Sequence, residues 1–292
     1  MDERLAAKLD SRALISVTGA HAASFLQGLI SNDVEEIRPD RAIYAALLTP
    51  QGKFLFEFFV AAGEDGLVLD VDRARRGDLI KRLHMYKLRA KVEIADRAAD
   101  FEIMAVWGGA PVEAAPGPFA QYRDPRLEAL GRRLAVPSAT VEGTAQSLSA
   151  KLVAEAEYHR RRIQLGVPDG PMDLEPEQTF LLEGNFEELY GVDFKKGCYV
   201  GQELTARMKH RGTARRRMLP VRGSAKLPAA GTAITDESGR DIGDMRGSID
   251  DSGMAAFRLD RLKEARQLQA EGVKLEVLRP AYSVIGWEET PS

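Results

Sequence analysis

The chain has 292 residues, of which 44% are hydrophobic and 29% charged, and its formal net charge is −3. These proportions predict a globular protein of about two domains of ~150 residues each. No apolar run approaches the ~20 residues of a membrane span, and no apolar stretch follows the charged N-terminus as it would in a signal peptide. We therefore expect neither a membrane protein nor a secreted or fibrous one.

Cys198 is the single cysteine of the sequence. One cysteine excludes an intrachain disulfide and a zinc site built from paired thiolates. The four histidines are scattered, and none has the spacing of a metal-ligand pair. We predict no metal site and a reducing compartment, which we take to be the cytoplasm.

The first part of the chain has the pattern of an α+β layer. A strand–strand–helix–strand–strand order predicts a helix packed on one face of a largely antiparallel sheet. Residues 43–61 have the pattern of a hairpin, with turn chemistry at 50–53. Helical spacing is seen around 21–30 and 79–86. Strands are predicted at 12–17, 43–48, 54–61, 67–71, 91–95 and 102–107.

In the second part of the chain, the residue composition and the predicted secondary structure change twice. Gly and Pro residues over 108–118 predict an exposed loop, and the polar stretch 137–149 is the expected crossing between domains. Residues 150–165 have a helical pattern that ends at Gly166. From residue 218 onward, short β-like runs alternate with Gly-containing turns, which is typical of a small β-barrel.

The most unusual segment surrounds the only thiol, within residues 191–207. Gly197 and Gly201 permit tight backbone turns on either side of Cys198. The lysines at 195–196 would favour the thiolate if the thiol is exposed. The alternative is a buried, inert cysteine beside the start of a helix, and spacing alone does not decide between the two.

Residues 196–203 resemble the Lys-Gly-Cys-Tyr-x-Gly-Gln-Glu signature of the YgfZ-type folate-binding proteins. That family is related to the glycine-cleavage aminomethyltransferases and includes a mitochondrial iron–sulfur assembly factor. The resemblance covers roughly residues 10–260. Further segments similar to the family lie at 19–34, 45–53, 124–126, 166–168 and 207–217.

The resemblance implies an α+β, aminomethyltransferase-like folate-binding fold, a three-part ring around a folate-sized channel with a small C-terminal β-barrel. The first folate-binding part would combine residues 1–50 and 150–215. Residues 51–149 would form a ferredoxin-like α+β part, and residues 216–292 the barrel.

The resemblance also implies a function. The protein would support iron–sulfur cluster assembly or repair on client enzymes, including radical enzymes that modify tRNA in bacterial relatives. Its cofactor would be tetrahydrofolate or a one-carbon derivative. Its partners would be iron–sulfur client or assembly proteins, and an accessory role is favoured over an enzymatic one.

Two groups of site residues follow from the resemblance. In the folate group, the Glu183 carboxylate can accept two hydrogen bonds from a pterin edge, although a capping or loop acid is the alternative. The catalytic candidates are Cys198, Lys196, Gln202 and Glu203, with Gly197, Tyr199 and Gly201 in the same signature. The folate-binding candidates are Glu183, Asn185, Glu57 and Arg207.

One position departs from the aminomethyltransferases, which usually have two adjacent acids where this chain has Phe56 and Glu57. A phenylalanine cannot position a proton, and neighbouring strand residues face opposite sides of a sheet. We therefore favour the accessory role over the alternative of a folate-dependent one-carbon transferase. Glu57 itself is expected to be either a folate contact or a solvated strand residue.

The basic run 207–217 holds six Lys or Arg and no acid, so the remainder of the chain carries −9. The run could be a solvated face, a site for the folate glutamate tail, or an RNA contact, which would make the chain an RNA-binding module. It contains no aromatic residue for base stacking. An RNA contact is the least favoured of the three interpretations.

Overall fold

The computed structural model describes residues 3–110, 117, 119–212 and 214–287. The chain divides into two compact units. Unit one comprises Met1–Leu48, Leu55–Tyr158 and Tyr190–Val200, and unit two comprises Thr49–Phe54, His159–Leu189 and Gly201–Ser292. The three-part division expected from the sequence stays a prediction, and most of the expected loop 108–118 lies outside the described residues.

The chain contains both strands and helices, in an order that is typical of an α+β fold. In chain order the strands are β1 (Leu5–Lys8), β2 (Arg12–Thr18), β3 (Ile43–Leu48), β4 (Phe54–Gly63), β5 (Gly66–Asp72), β6 (Glu93–Asp96), β7 (Phe101–Trp107), β8 (Ala120–Arg123), β9 (Arg132–Pro137), β10 (Lys151–Val153), β11 (Arg216–Gly223), β12 (Ala233–Asp236), β13 (Asp241–Ile249), β14 (Ser252–Arg258), β15 (Leu268–Ala270) and β16 (Val273–Val277). The helices are α1 (Ala22–Gln27), α2 (Arg76–Lys87), α3 (Val141–Ser147), α4 (Glu155–Gln164), α5 (Gly170–Asp173), α6 (Gln202–Arg211) and α7 (Leu259–Leu262). In the described part of the chain, none of these helices has the length and apolarity needed to cross a bilayer.

Unit one contains two five-stranded sheets. Sheet one has the order β3-β4-β5-β2-β6, and its strands match the predicted segments between residues 12 and 96. Strand alternation gives sheet one two unlike faces. One face carries Ile15 and Phe58 into an apolar core that Leu26 of α1 and Leu83 of α2 complete. The opposite face carries charged side chains, described below.

Sheet two has the order β10-β1-β7-β9-β8. Residues 137–149, expected to be a domain crossing, instead form short helices whose Ala145 and Leu148 pack into the core of this sheet. The helix expected over 150–165 begins only at Glu155. Residues 151–153 pair in parallel with β1, so strand pairing across the fold overrides the local helical pattern.

Unit two is built around a closed barrel of strands in the order β11-β14-β13-β12-β15-β16. Its interior is filled by fully buried apolar side chains such as Leu219, Ile234 and Phe257. The predicted small C-terminal β-barrel is therefore confirmed. Gly166 follows α4 with φ +74°, as expected of a residue that ends a helix.

Candidate functional site

The signature segment (residues 190–200) is fixed to the turn that follows α1. The Asp193 N–H donates to the Ser31 carbonyl at 3.0 Å. The Asn32 side-chain amide donates to the Tyr190 carbonyl at 2.7 Å. The start of the signature segment is therefore hydrogen-bonded to the family-like stretch 19–34 within unit one.

Lys196 is the strongest anchor of the signature segment. Its ammonium group donates to the carbonyl oxygens of Gln27, Ile30 and Asn32 at 2.9, 2.7 and 2.7 Å. These acceptors are the end of α1 and the turn behind it. Burial lowers the pKa of Lys196 to about 8, although two neighbouring aspartates oppose the shift. All three ammonium protons are engaged, so this predicted catalytic residue serves as an internal anchor.

Cys198, two residues further on, is exposed. The structure therefore excludes the buried-cysteine alternative. Tyr199 is only 9% exposed and Val200 packs against the apolar core of sheet one. A Cβ added at Gly197 would meet nothing within 4 Å, so no close approach requires glycine there. The thiol thus projects from a segment whose flanking side chains are held inside unit one.

The rest of the signature belongs to unit two. Gly201 caps α6 with φ +82°, and a Cβ added to Gly52 would lie 2.9 Å from its carbonyl oxygen. Gln202 and Glu203 form the first turn of α6. Glu203 pairs with Arg207 four residues later, and both side chains are at least half exposed. An exposed pair of this kind contributes about 0.5 kcal/mol or less to stability.

The folate candidate Glu183 lines a cavity of about 210 Å³ in unit two. Its Oε2 accepts a hydrogen bond from the Phe180 N–H at 3.2 Å. Within the described part of the chain, Oε1 has no hydrogen-bond partner. Of the five charged residues that line the cavity, the sequence pattern did not point to Glu175 or Arg246. The lining residues are Lys53, Glu175, Gln178, Thr179, Phe180, Glu183, Arg216, Met218, Arg246 and Ala256.

The charges around this cavity are balanced within unit two. The Lys53 ammonium lies 3.2 Å from the centre of the Phe180 ring and donates to a backbone carbonyl. Arg246 pairs with Glu175 at 2.9 Å. The cavity therefore offers polar atoms of both signs without a large net charge.

Asn185, another folate candidate, is fully buried in the left-handed conformation, with φ +59°. Its amide nitrogen donates to the Met218 carbonyl at 2.8 Å and to the Tyr282 hydroxyl at 3.0 Å. Its oxygen accepts from the Met218 N–H at 3.3 Å. The side chain thus joins the turn after Glu183 to strand β11 of the barrel. Both of its polar atoms have partners within the protein, and folate binding by Asn185 stays a prediction.

Glu57 is 4% exposed and forms an ion pair with Arg12 inside unit one. The expectation of a solvated strand residue is therefore wrong, and the carboxylate is used within the protein. Strand alternation places Phe56 in the opposite, apolar core. Glu57 belongs to a set of buried polar residues that we call the buried ionic cluster: Arg12, Glu57, Asp70, Tyr122, Asp124, Arg126, Arg133 and Tyr158.

Asp70 is the centre of the buried ionic cluster. It accepts hydrogen bonds from the Nε atoms of Arg12 and Arg133, both at 2.7 Å, and from the Tyr122 hydroxyl at 2.9 Å. Burial would raise the pKa of Asp70, but the two guanidinium groups outweigh it and lower that pKa to about 2. Burial, followed by the Asp70 charge, raises the pKa of Tyr122 well above its usual value. The sequence signals for this cluster were charged residues within apolar strands and the family-like segment 124–126, which contains Asp124 and Arg126.

The basic run 207–217 is largely neutralised by neighbouring acids, with Thr213 outside the described residues. Four of its six basic side chains have carboxylate partners, which leaves little unpaired charge for a polyanion. The pairs are Arg207 with Glu203, Lys209 with Glu187, Arg216 with Asp244, and Arg217 with Glu188.

The barrel and the whole fold each have known counterparts. Residues 215–283 match the family described as the CAF17 C-terminal beta-barrel domain. The crystal structure of the glycine cleavage system aminomethyltransferase T from Bartonella henselae matches with a TM-score of 0.75. That match covers 96% of this chain and 86% of the other at 15% sequence identity. The chain therefore has the aminomethyltransferase-like α+β fold that was predicted.

Sequence comparison defines the family. The iron–sulfur cluster assembly factor IBA57 of Homo sapiens is 33% identical, over 98% of this chain and 85% of the relative. The Mus musculus protein is 33% identical, over 88% and 78%. The Mycosarcoma maydis homolog is 35% identical over 74% of this chain, which spans 56% of that relative. The chain belongs to the IBA57 family, and the predicted relation to iron–sulfur assembly factors is confirmed.

The predicted cytoplasmic location is contradicted by these comparisons, because the relatives are named as mitochondrial proteins. The prediction rested on the single cysteine. A low cysteine count indicates a reducing compartment, but it does not distinguish one such compartment from another.

Proposed function

We propose that this chain is an accessory protein for iron–sulfur cluster assembly or repair that binds a reduced folate and contacts client or assembly proteins through Cys198. The single observation that carries the proposal is the exposed thiol on the anchored signature segment. Its relatives are named iron–sulfur cluster assembly factors, which supports the same role. Radical enzymes that modify tRNA are among the clients we propose.

The geometry of the signature segment suits contact with a partner. A thiolate is a soft ligand that binds the iron of iron–sulfur clusters. The backbone around Cys198 is fixed by the Lys196 anchor on one side and by buried Tyr199 on the other. A preordered segment loses little conformational entropy when a partner docks. Cys198 is therefore suited to meet a cluster that is cargo rather than a resident cofactor.

Glu183 supports the folate part of the proposal. Its Oε1 can accept an N–H from the amino-pyrimidine edge of a pterin while Oε2 keeps its bond to the Phe180 N–H. The 210 Å³ cavity is smaller than the ~300 Å³ at the low end of ligand pockets, so it has room for one ring system. Tetrahydrofolate or a one-carbon derivative would be held by that ring.

The alternatives have less support. A one-carbon transferase would need an available acid near the turn at 50–53, but Phe56 lies in the core and Glu57 is paired with Arg12. An RNA-binding module would need unpaired charge along 207–217, where four cations already have carboxylate partners.

Thermal unfolding with tetrahydrofolate tests the folate proposal. Ligand at about 100 times its Kd adds about 2.7 kcal/mol, which for a chain of this size raises the Tm by roughly 5–10 °C. Glu183→Gln should reduce the shift because the amide offers one acceptor oxygen instead of two. The matched control, Glu177→Gln, changes an exposed acid that does not line the cavity and should keep the full shift. No shift at millimolar tetrahydrofolate would remove folate from the proposal.

A further inference from the structure

The end of α2 and the turn after it form a strongly basic tip. Residues 81–91, which we call the α2 tip, contain five Lys or Arg and no acid. In the described part of the chain, only Lys81 of the five has a carboxylate partner, Asp78 at 3.2 Å on the same helix. The other four cations are Arg82, Lys87, Arg89 and Lys91.

Two exposed apolar side chains lie among these charges. Leu88, just beyond the end of α2, is 88% exposed, and Met85, three residues earlier in the helix, is 67% exposed. The Ala90 N–H donates to the Lys87 carbonyl at 2.8 Å, which closes a four-residue turn. Leu88 has φ +43° and ψ −109° in this turn. These angles lie near the values of about +60° and −120° at the first central position of a type II′ turn, where glycine is favoured.

The internal packing of unit one does not explain these residues. The opposite side of α2 already fills the core with Leu79 and Leu83. A cation near the C-terminus of a helix is favoured by the helix dipole, which accounts for Lys87. Arg89 and Lys91 lie beyond the helix, so the helix dipole does not account for them. The Leu88 side chain is exposed to solvent and contributes little to the core.

We propose that the α2 tip is a docking surface for an acidic protein, with Leu88 and Met85 entering an apolar depression and the surrounding cations pairing with carboxylates. The partner's place among iron–sulfur client or assembly proteins rests on the proposed function. The charge of the tip selects an acidic surface, because the four cations without carboxylate partners, all within residues 82–91, repel one another until opposite charges approach.

A protein fits the α2 tip better than a lipid bilayer or a nucleic acid. Binding in the plane of a membrane needs a continuous apolar helix face, whereas the apolar face of α2 is turned into the core. A nucleic acid would pair with the cations and leave two aliphatic side chains uncovered. Tyr86, the only Phe, Tyr or Trp residue in the tip, packs against the core and is not available for base stacking.

The test uses full-length variants expressed in cells that lack the protein, with the activity of an iron–sulfur enzyme as readout. Leu88→Gly should raise the Tm, because glycine adopts the turn conformation freely, and should lower the restored activity severalfold. Arg89→Glu with Lys91→Glu should remove most of it. The control, Lys226→Glu with Lys263→Glu, makes the same charge change at exposed sites in unit two and should restore full activity.

Full restoration by both tip variants, beside a wild type that restores activity, would overturn the docking proposal and leave the proposed function standing. Binding of the wild type to vesicles with 30% phosphatidylserine, or to tRNA, that the double tip variant loses would also overturn it. If the wild type restores no iron–sulfur enzyme activity, the proposed function fails. The docking proposal is then tested with a photoreactive residue at position 88. The proposal requires that this residue cross-links to an acidic protein, identified by mass spectrometry, and that Arg89→Glu with Lys91→Glu abolishes the cross-link. The absence of such a cross-link would contradict the proposal.

Discussion

The buried ionic cluster and the signature segment both belong to unit one, and both depend on charged side chains, but they differ in what reaches solvent. In the cluster, Arg12, Asp70 and Arg133 are at most 3% exposed and have their partners inside the protein. In the signature segment, the Lys196 charge is bound inside while Cys198 is exposed. The comparison shows how to separate the two roles: charges with internal partners hold the fold, and the group left outside a rigid segment is available for chemistry.

A single sequence motif therefore combines unlike functions. Lys196 anchors the backbone, Gly201 provides the turn into α6, and Cys198 is displayed at the surface. The motif alone suggested that the lysine activates the thiol. The structure gives the Lys196 ammonium three carbonyl acceptors, so the lysine supports the thiol through the backbone.

The largest effect is expected from Asp70→Asn. Removing this charge leaves the Arg12 and Arg133 guanidinium groups buried without their shared carboxylate. Breaking a buried pair in this way costs about 3–5 kcal/mol, so the Tm should fall by roughly 10 °C or more. Thermal or urea unfolding measures the loss. Asp65→Asn, at an exposed aspartate in the same unit, should change the free energy of unfolding by less than about 0.5 kcal/mol.

Acid unfolding provides a check on the same carboxylate. Its pKa is about 2 in the folded protein, against a usual value of 3.8. A lowered carboxyl pKa stabilises the fold above pH 3.8, and the stabilisation is lost as the pH falls towards 2. The loss amounts to about 2 kcal/mol, and Asp70→Asn should lack that part of the slope. Equal slopes in both proteins would contradict the charged pairing of Asp70.

A smaller effect is expected from Lys196→Met. The variant keeps the apolar stem but leaves three carbonyl oxygens without their donor, a change that we expect to cost about 2–3 kcal/mol. The free energy of unfolding, from urea titration, measures it. Lys195→Met removes a neighbouring exposed lysine and should stay within about 0.5 kcal/mol of the wild type. If the two variants were equally stable, Lys196 would not be the anchor.

The sequence predicted those parts of the fold that local patterns encode. Strands at 12–17 and 43–48 and the late barrel were found because apolar periodicity and Gly-containing turns specify them. The helix expected over 150–165 was partly wrong because residues 151–153 pair with a strand almost 150 residues earlier. Such pairing leaves no local trace.

The candidate site shows the same limit. The resemblance located Cys198, but whether the thiol is exposed depends on where Tyr199 and Val200 pack. The role of Lys196 was missed because its acceptors are backbone carbonyls more than 160 residues away, and every residue type has a carbonyl. Arg12 and Asp70 meet because β2 and β5 pair in one register, which neither segment encodes alone.

The most direct measurement of the central claim is the iron–sulfur enzyme activity restored by Cys198→Ser, compared with the wild type at equal protein abundance and alongside the Tm of both. An exposed sulfur on an anchored segment contributes little to packing, so we expect the Tm to change by about 1 °C or less. We expect the variant to restore little or no activity. A variant that melts several degrees lower but restores full activity would contradict the account, because Cys198 would then serve the fold rather than the function.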